Sequence, residues 1–450
     1  MGGLAAATVK TDGFGEDLKE RQSRMKVIGF DNWTGGAHLF ERLTKAFSFA
    51  GLDLTLIHLG SWGNDVGRPK SESIGSLQVR DISIFGKKSF PEILEAEKPA
   101  AVLFMSTDTF AHRAFNRYCR DRHIPTIHLY HGLVRVQAVD DGLPYKINLF
   151  SQLRFAIGKL SKAFRHVWPA YVAALWRTGA KPLQWFRFFH DILQGAAGIY
   201  NRVAAEDART DKCCVYVAPD IEHAVTKYGF AREDVIAVGN PDLMQFGLTS
   251  GHIGSHLNSP QLDRPDVMYA DTGLVYSGYG ACLFTSENEF IEHLVDTKQQ
   301  LEKQGKHLIF KPHPDHWRSG IIPVLQDRGV DVCPNADFVP RLGNCCACIV
   351  EPTTVAVIPA LIGMPLFLAG YGKLHGQRFG EVLHSYPRAR SLTDLQNVSR
   401  MLDAEQASLN SENTMKWIRE TSGPLPAEDM PHRVAALAAT LILESQRARM

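Results

Sequence analysis

The sequence lacks the long apolar runs and the skewed charge that would place it in several large classes of protein. No uninterrupted apolar run approaches the ~18 residues of a membrane-spanning helix, so no spanning segment is expected. Lysine and arginine number 49 and aspartate and glutamate 48, so the net charge of +1 gives no overall reason to expect a nucleic-acid partner. A dinucleotide-binding G-x-G-x-x-G pattern is also missing.

Patterned cysteines are missing as well. The eight cysteines are irregularly spaced, and no stretch has the basic, apolar and small-residue order of a secretory signal. We therefore expect a cytoplasmic protein without disulfides. The one dense group, Cys345, Cys346 and Cys348, lies in an apolar run without a second Cys/His pair at zinc-binding spacing. This pattern favours a buried strand over a metal site, because free cysteine behaves as a small hydrophobe.

What the sequence has in abundance is alternation between short apolar runs and segments of helical periodicity. Residues 1–24 are rich in glycine and alanine and then charged, and they predict a flexible arm. Strands alternating with helices, about 30 residues per unit, predict a doubly wound, Rossmann-like α/β domain over residues 25–248. One of these predicted strands is RDISIF, at residues 80–85. A linker over residues 249–264, a second such domain over 265–425 and a closing helix over 426–450 complete the predicted organisation.

Three loops that follow predicted strands of the second domain carry anion-binding chemistry. ADTG offers a hydroxyl and a glycine that lets the backbone approach a ligand closely, and KPHP holds a lysine and a histidine between prolines. EPTT places two threonines at a helix start, where free N–H groups favour a phosphate. Taken singly, each is also typical of a turn or a helix cap. Because ligands of open α/β sheets bind at the carboxyl ends of strands, the three together predict a phosphate site facing the cleft between the domains. The candidate residues are Thr272, Gly273, Lys311, His313, Pro314, Thr353 and Thr354.

These motifs resemble those of GT-B glycosyltransferases. VGNP before the linker, KPHP, and TTVAVIPALIGMP are similar to the branch that serves bacterial surface polysaccharides: capsule Kdo transferases, polysialyltransferases and CDP-glycerol glycerophosphotransferases. The resemblance covers most of residues 25–370 apart from a basic insertion. In those enzymes an HP motif and a Ser/Thr pair bind the donor's phosphate and cytidine, roles that fall by position to His313 with Pro314 and to Thr353 with Thr354.

The resemblance implies a metal-independent transferase without a cofactor beyond its nucleotide-sugar substrate. It would move a sugar, from a CMP-sugar in the favoured case, to a glycan or lipid-linked acceptor hydroxyl. Three alternatives stay open: a UDP-sugar-dependent GT-B transferase, an enzyme like the non-hydrolysing UDP-N-acetylglucosamine 2-epimerases, and a non-catalytic GT-B scaffold.

The resemblance offers two candidates for the general base that accepts the acceptor's proton. Bacterial sialyl- and polysialyltransferases carry an acidic pair followed by glycine in the first domain, and DDG supplies Asp141 or Asp140 here. The same dipeptide is also strong turn chemistry. Asp141 or Asp140 is the first choice, and His131 is the competing base, because glycerophosphotransferases have HG after a first-domain strand and His131 stands in that position.

Two departures from the GT-B pattern bear on the donor and the acceptor. Many GT-B enzymes hold the donor ribose with a glutamate, and Ile358 occupies the matching position here, which leaves Glu351 as a substitute. Gly35 and Gly36 resemble the glycine-rich first loop of GT-B folds, where the acceptor lies against the donor phosphates.

Residues 149–205 interrupt the alternation with a helical, basic and aromatic insertion. Over residues 149–202 eight basic residues face a single acid, Asp191, with Trp, Tyr and Phe interleaved. Such helices suit an anionic membrane surface and would put the protein on the inner face of the cytoplasmic membrane. The same pattern is typical of a helical subdomain whose aromatic residues form its core. No nucleic-acid partner is expected, since no recognised reader motif is present.

Overall fold

The computed structural model describes residues 24–31, 36–62, 69–133, 160–194, 206–241, 243, 246–258, 262–273, 283–284, 286–317, 320–377, 379–407 and 411–450. Three predicted site residues, Gly35, Asp140 and Asp141, lie outside these ranges. So does the predicted arm up to residue 23.

The first half of the chain forms a sheet of eight strands within the described ranges. These are β1 (Met25–Asp31), β2 (Leu52–His58), β3 (Ser71–Ile74), β4 (Leu77–Asp81), β5 (Ala101–Phe104), β6 (Thr126–Leu129), β7 (Lys212–Val215) and β8 (Val235–Ala237). Their order is β3-β4-β2-β1-β5-β6-β7-β8, and every pair is parallel except β3 with β4. Strands β5 and β6 are buried at every residue, as expected of a parallel sheet covered on both faces.

Helices cover this sheet. They are α1 (Ala37–Glu41), α2 (Thr44–Phe49), α3 (Phe90–Glu97), α4 (Phe110–Asp121), α5 (Trp168–Arg177), α6 (Pro182–Gln194) and α7 (Asp220–Tyr228). Local sequence explains their starts: Ser89 and Glu92 form a capping box at α3, and the Thr109 hydroxyl accepts from the His112 N–H at α4.

The second half forms a six-stranded, fully parallel sheet within the described ranges. Its strands are β9 (Asp266–Ala270), β10 (His307–Lys311), β11 (Asp331–Val332), β12 (Cys345–Val350), β13 (Leu366–Ala369) and β14 (Ala389–Leu392). They lie in the order β11-β10-β9-β12-β13-β14. The dense cysteine group is the buried strand β12, as predicted, because all six of its residues are buried.

The helices of the second half surround this sheet and then return to the first. They are α8 (Ser255–Asn258), α9 (Glu287–Glu302), α10 (Ile321–Asp327), α11 (Phe338–Leu342), α12 (Val357–Ile362), α13 (Glu381–His384), α14 (Val398–Ala407), α15 (Ser411–Ser422) and α16 (Met430–Arg447). A buried apolar cluster includes side chains of both halves, such as Leu56 and Met268. In α16, Arg433 donates to the Val238 carbonyl and Ser445 to the His123 carbonyl, so the closing helix packs on the first sheet.

Short helical turns link these elements. The 3-10 turns are Gly60–Trp62, Ile82–Phe85, Glu206–Ala208, Arg232–Asp234, Ser250–His252, Pro314–Trp317, Asn335–Asp337, Thr354–Ala356, Gly372–Leu374, Leu395–Asn397 and Ala427–Asp429, and Ala163–Val167 is a π-helical turn. The segment predicted as a linker contains one of these turns and α8. The Gly254 N–H there donates to the Leu361 carbonyl of α12, so this segment packs on the second half.

The strand predicted at RDISIF is wrong beyond its first two residues. Strand β4 ends at Asp81, whose carboxylate accepts from the N–H groups of Ser83 and Ser61. These bonds turn the backbone into the Ile82–Phe85 helix, because an aspartate that caps a turn competes with continuation of the strand. None of the helices in the described part of the chain combines the length and apolarity needed to cross a membrane.

Each sheet has one place where the strand order reverses direction. In the first sheet the reversal lies between β1 and β5, and in the second between β9 and β12. Loops that leave the carboxyl ends of such neighbouring strands run to opposite faces of the sheet and open a crevice. The fold therefore directs attention to the residues after β1 and β5 and to those after β9 and β12.

Candidate functional site

The three predicted anion-binding loops leave three adjacent strands of the second sheet. Strand β9 lies between β10 and β12, so the ADTG loop lies between KPHP and EPTT at the carboxyl ends of these strands. The crevice between β9 and β12 is where the strand order reverses. The structure therefore brings together loops that are about 40 residues apart in sequence.

Asp271 connects the ADTG and KPHP loops by hydrogen bonds, a role that its local sequence does not indicate. It is buried at the end of β9, where its Oδ1 accepts from the Gly273 N–H at 2.9 Å and its Oδ2 from the His313 N–H at 3.0 Å. His316 Nε2 lies 2.7 Å from Oδ2. Burial alone would raise the pKa of Asp271, but its hydrogen bond and ion pair with His316 outweigh burial and lower that pKa.

Glu351 is buried beside Asp271 and takes the opposite protonation. Its Oε1 accepts from the Tyr269 hydroxyl at 2.6 Å and its Oε2 from the Thr272 N–H at 3.0 Å. Burial first, and the neighbouring Asp271 carboxylate second, raise its pKa well above the usual range. The pKa values of these two neighbouring buried carboxyl groups therefore move apart: that of Asp271 falls and that of Glu351 rises. With both oxygens engaged, Glu351 orders the loop from below.

The His313 ring lies directly over Gly273. Gly273 has φ +77, and a Cβ there would stand 2.8 Å from Cγ and Nδ1 of His313, closer than real Cβ contacts come. The glycine is thus needed both for its backbone conformation and for the approach of the ring. His313 is half-buried, which leaves part of the imidazole accessible from solvent.

Lys311, by contrast, is turned away from solvent. Its ammonium donates to the Pro312 carbonyl at 2.9 Å and lies over the rings of Phe246 and Phe338, with 5.7 and 5.6 Å to the ring centroids. Burial of the amine lowers its pKa. The lysine holds the KPHP backbone and bridges to Phe246, which precedes the segment between the two sheets.

The EPTT loop divides its two threonines. Thr353 is buried and precedes the Thr354–Ala356 turn that leads into α12, while Thr354 is exposed. The Thr272 hydroxyl donates to the Pro352 carbonyl at 3.3 Å, which ties this loop to ADTG. Ile358, which occupies the position of the ribose-binding glutamate, is buried within α12. Pro314, the last residue of KPHP, begins the Pro314–Trp317 turn.

In the first half, His131 lies exposed just beyond the carboxyl end of β6. Its Nδ1 is 2.9 Å from the Met105 carbonyl, which follows β5 at the reversal point of the sheet. A carbonyl only accepts hydrogen bonds, so Nδ1 carries the proton in the neutral ring and Nε2 keeps its lone pair. That is the tautomer a general base requires. Gly36, the other described candidate of this half, is buried at the start of α1.

Behind His131 the first sheet carries two buried histidines that are held neutral. Burial lowers the pKa of His112 to about 3 and that of His128 to about 4. His112 Nδ1 contacts the Thr109 hydroxyl at 2.8 Å, and its Nε2 lies 3.9 Å from Asp31 at the end of β1. These rings support the edge of the sheet from inside.

The described part of the insertion packs on α4 through a buried arginine. Arg113 donates to Asp207 at 2.7 Å, to Asp191 at 3.1 Å and to the Tyr171 hydroxyl at 2.6 Å. Asp191, the only acid in the sequence of residues 149–202, is thus buried and paired with Arg113. Helices α5 and α6 form part of the first domain's core through Tyr171 and Phe188.

The outer side of the same helices is apolar and basic. Trp176 is 79% and Phe186 69% exposed, and Leu183, Phe186 and Phe189 recur at a spacing of three on one side of α6. The large exposed apolar residues here are Phe164, Trp176, Leu183, Phe186 and Phe189. The insertion therefore has a packed inner side, as expected of a helical subdomain, and an outer side with exposed apolar residues.

Within the described ranges, no group of three or more histidine, cysteine, aspartate or glutamate side chains is placed to hold a metal ion. The site residue that sequence reasoning missed is His316, together with the part played by Asp271. Both are ordinary residues in sequence, and their importance follows from the pairing of loops that only the order of the strands reveals.

Comparison with known proteins gives the fold a name. No family model matches the sequence, and no curated protein sequence matches it significantly. A calicheamicin glycosyltransferase is similar in structure with a TM-score of 0.51 and 14% identity, over 93% of this chain and 98% of that one. The wall teichoic acid polymerase TagF, solved after a soak with CDPG, gives 0.50 and 10% over 98% and 100%. A UDP-N-acetylglucosamine 2-epimerase from Rickettsia bellii gives 0.42 and 14%, over 94% and 96%. With its two Rossmann-like parallel-sheet domains, the chain has the predicted GT-B fold.

Proposed function

We propose that this protein is a glycosyltransferase that moves a sugar from a nucleotide-activated donor, preferably a CMP-sugar, to a hydroxyl of a glycan or lipid-linked acceptor in surface polysaccharide synthesis. The observation that carries the proposal is the convergence of the His313 and Thr353–Thr354 loops on either side of Asp271, at the strand reversal of a GT-B second domain. This is where ligands of such sheets bind.

On the donor side, His313 and the exposed Thr354 supply the groups that meet the phosphate. Departure of the nucleotide leaves negative charge on the phosphate, and donors fixed in advance stabilise that charge without rearranging. Gly273 contributes by letting the ring of His313 lie against the backbone. Lys311 shapes the loop through Pro312 and leaves the direct contacts to these groups.

On the acceptor side, we propose His131 as the general base. Its Nε2 lone pair accepts the proton of the acceptor hydroxyl as that oxygen forms a bond to the anomeric carbon and the bond from that carbon to the phosphate oxygen breaks. The Met105 carbonyl fixes the ring and its tautomer, in the way that an orienting partner serves a base in other hydrolases and transferases. Asp140 and Asp141 remain alternative bases outside the described residues.

The donor proposal is tested by thermal denaturation with a panel of CMP-, CDP-, UDP- and GDP-activated donors. A ligand at a hundred times its dissociation constant stabilises the folded state by about 2.7 kcal/mol, so binding gives a clear rise in Tm. The proposal expects a rise with cytidine donors that His313→Ala abolishes. A rise with UDP donors alone points to the UDP-dependent alternative, and no rise with any donor would remove the donor site.

Turnover separates the transferase from its alternatives. The transferase releases free nucleotide and forms a glycoside only when an acceptor is present, whereas an epimerase changes the sugar without acceptor. A scaffold does neither. Release of nucleotide at an unchanged rate in His313→Ala would contradict the role given to that histidine.

We further propose that the outer side of the insertion binds an anionic membrane surface from the cytoplasmic side, where lipid-linked acceptors are held. Its exposed aromatic residues lie among Arg165, Arg177 and Lys181, and its single acid is buried against Arg113. Each basic residue near such a surface contributes about 1 kcal/mol, and aromatic side chains insert between headgroups.

Co-sedimentation with phosphatidylcholine vesicles, with and without phosphatidylserine, tests this surface. The wild type should sediment with the anionic vesicles only, and Trp176→Ser with Phe186→Ser should release it. Phe49→Ser is the matched control, because Phe49 is 86% exposed on α2, outside the insertion. Equal binding to both kinds of vesicle, or equal loss in the control, would contradict the proposal.

A further inference from the structure

We infer that Asp271 and His316 are positioning residues of the donor site: the Asp271 carboxylate, held by His316, fixes the backbone that carries His313. This inference rests on the proposed donor site and extends it to two residues that do not touch the ligand. It assigns a role to the second histidine of the PHPDH stretch, which neither fold nor motif explains.

The position of Asp271 in the sheet is the first support. It follows β9, the strand whose two neighbours carry the other two loops, so a side chain there is the one that reaches both. Its two oxygens accept from the N–H of Gly273 on its own loop and from the N–H of His313 on the next. One donor belongs to the glycine directly under the His313 ring, and the other is the backbone N–H of His313 itself. Removing the carboxylate would therefore take away the hydrogen-bond acceptors that hold the backbone of Gly273 and of His313.

His316 is the second support. Its ring is fully buried and stacks on Phe290 of α9, with 5.1 Å between ring centroids and 5° between the planes. Its Nε2 lies 2.7 Å from the same oxygen that accepts from the His313 N–H. Because the stacking fixes the ring, the contact also fixes the carboxylate. A loop held in this way needs no rearrangement when charge develops on a ligand phosphate.

Glu351 is the counterpart that makes a decisive comparison available. It is as buried as Asp271 and accepts from Tyr269 and Thr272, yet burial raises its pKa, whereas the pKa of Asp271 is lowered. A glutamine at 351 keeps one accepting oxygen for Tyr269 or Thr272 and loses the other, but it leaves the bond from the His313 N–H to Asp271 untouched. An asparagine at 271 loses one of the two accepting oxygens and leaves a backbone N–H buried without an acceptor.

The experiment compares these two isosteric changes. Asp271→Asn should raise the KM or Kd for the donor by about 10- to 100-fold, which corresponds to one buried hydrogen-bonding group left unsatisfied. Glu351→Gln should raise the donor KM or Kd less than Asp271→Asn does, because it removes an acceptor from Tyr269 or Thr272 and not from the His313 N–H. His316→Gln, which keeps an N–H donor, should recover part of the affinity that His316→Leu loses. Similar donor affinities in Asp271→Asn, His316→Leu and the wild type would overturn the inference.

A control removes general destabilisation as the cause. Tyr386 is buried and donates to the Met364 carbonyl. Met364 precedes β13, so this contact lies at the amino ends of the strands, away from the three loops. Tyr386→Phe should lower Tm without changing the donor KM. If Tyr386→Phe raises the donor KM as much as Asp271→Asn does, the effect belongs to the stability of the domain, and the positioning role is excluded.

Hydrogen–deuterium exchange separates this inference from the proposed function. The N–H groups of Gly273 and His313 should be protected in the wild type and exchange at least ~10-fold faster in Asp271→Asn, whether or not a donor binds. Faster exchange in a protein that binds no nucleotide would support the positioning of the loop and remove the donor site. Unchanged exchange would overturn the inference even if the donor site is correct.

Discussion

The carboxyl edges of the two sheets differ in the groups that lie next to their candidate catalytic or binding histidine. In the second sheet an ionised carboxylate, Asp271, gathers backbone N–H groups from neighbouring loops beneath His313. In the first sheet two buried histidines, His112 and His128, are held neutral, and one exposed histidine, His131, is oriented by a single backbone carbonyl. The second edge is suited to holding the phosphate of a donor, and the first to accepting a proton from an acceptor hydroxyl.

The largest expected effect breaks the first edge. His131→Ala should lower turnover with donor and acceptor by about 10²- to 10⁴-fold, the usual contribution of a general base, while donor binding stays unchanged. Steady-state kinetics beside a donor titration provide the measurement. His190→Ala, on the outer side of the insertion, is the control and should keep full turnover. A loss of less than a few fold in His131→Ala would move the base to the DDG segment.

The next effect concerns the core that joins the insertion to the first domain. Arg113→Met leaves Asp191 and Asp207 buried without their shared partner, and should destabilise the fold by about 3–5 kcal/mol. Urea denaturation measures this free energy. A change below about 1 kcal/mol would show that the insertion is attached to the domain by other contacts.

A smaller effect is expected where the second edge depends on the absence of a side chain. Gly273→Ala adds both backbone strain and a contact with His313, whereas Gly247→Ala, at φ +71 with open space around it, adds strain alone. Each should cost about 1–2 kcal/mol of stability from strain. Only Gly273→Ala should also weaken donor binding, by roughly tenfold if the ring moves. Equal donor affinities in the two variants would contradict the close fit of ring and glycine.

The last prediction concerns the dependence of stability on pH. The folded pKa of His112 is about 3 and that of His128 about 4, below the unfolded value of 6.5, so the unfolded chain binds more protons between these values. Stability is therefore full above pH 6.5 and falls with acid, by about 1.4 kcal/mol per pH unit for each group. His256 and His293 add the same dependence. Denaturation at pH 5 and pH 7 measures how the free energy of unfolding changes with pH. In His112→Gln this change should be smaller, by the equivalent of about one bound proton. An unchanged pH dependence would show that His112 does not contribute to it.

Much of this architecture could be predicted from the alternation of apolar runs and helical segments. Buried parallel strands such as the cysteine-rich β12 can be predicted, because burial on both faces favours a continuous apolar run. The short edge strands β3 and β14 could not be found this way, since SESI and ARSL are polar and largely exposed. The 3-10 turn after Asp81 was hidden because ISIF has the composition of a strand.

The site was predictable only in part, for a reason that lies in the topology. KPHP and EPTT are recognisable from local chemistry, but the neighbour that joins them depends on strand order, which puts β9 between β10 and β12. Asp271 and His316 therefore acquire their roles only in the folded chain. Conversely, Lys311 looked like a phosphate ligand in sequence, and its place at the end of a buried strand turns it inward.

We propose that the KPHP and EPTT loops hold the donor's phosphate, and a crystal structure of the protein soaked with CMP would show whether they do. We expect the phosphate within hydrogen-bonding distance of the His313 ring and of the Thr353–Thr354 turn, beyond the carboxyl ends of β9 and β12. A nucleotide bound elsewhere, with the loops around Asp271 unoccupied, would contradict it.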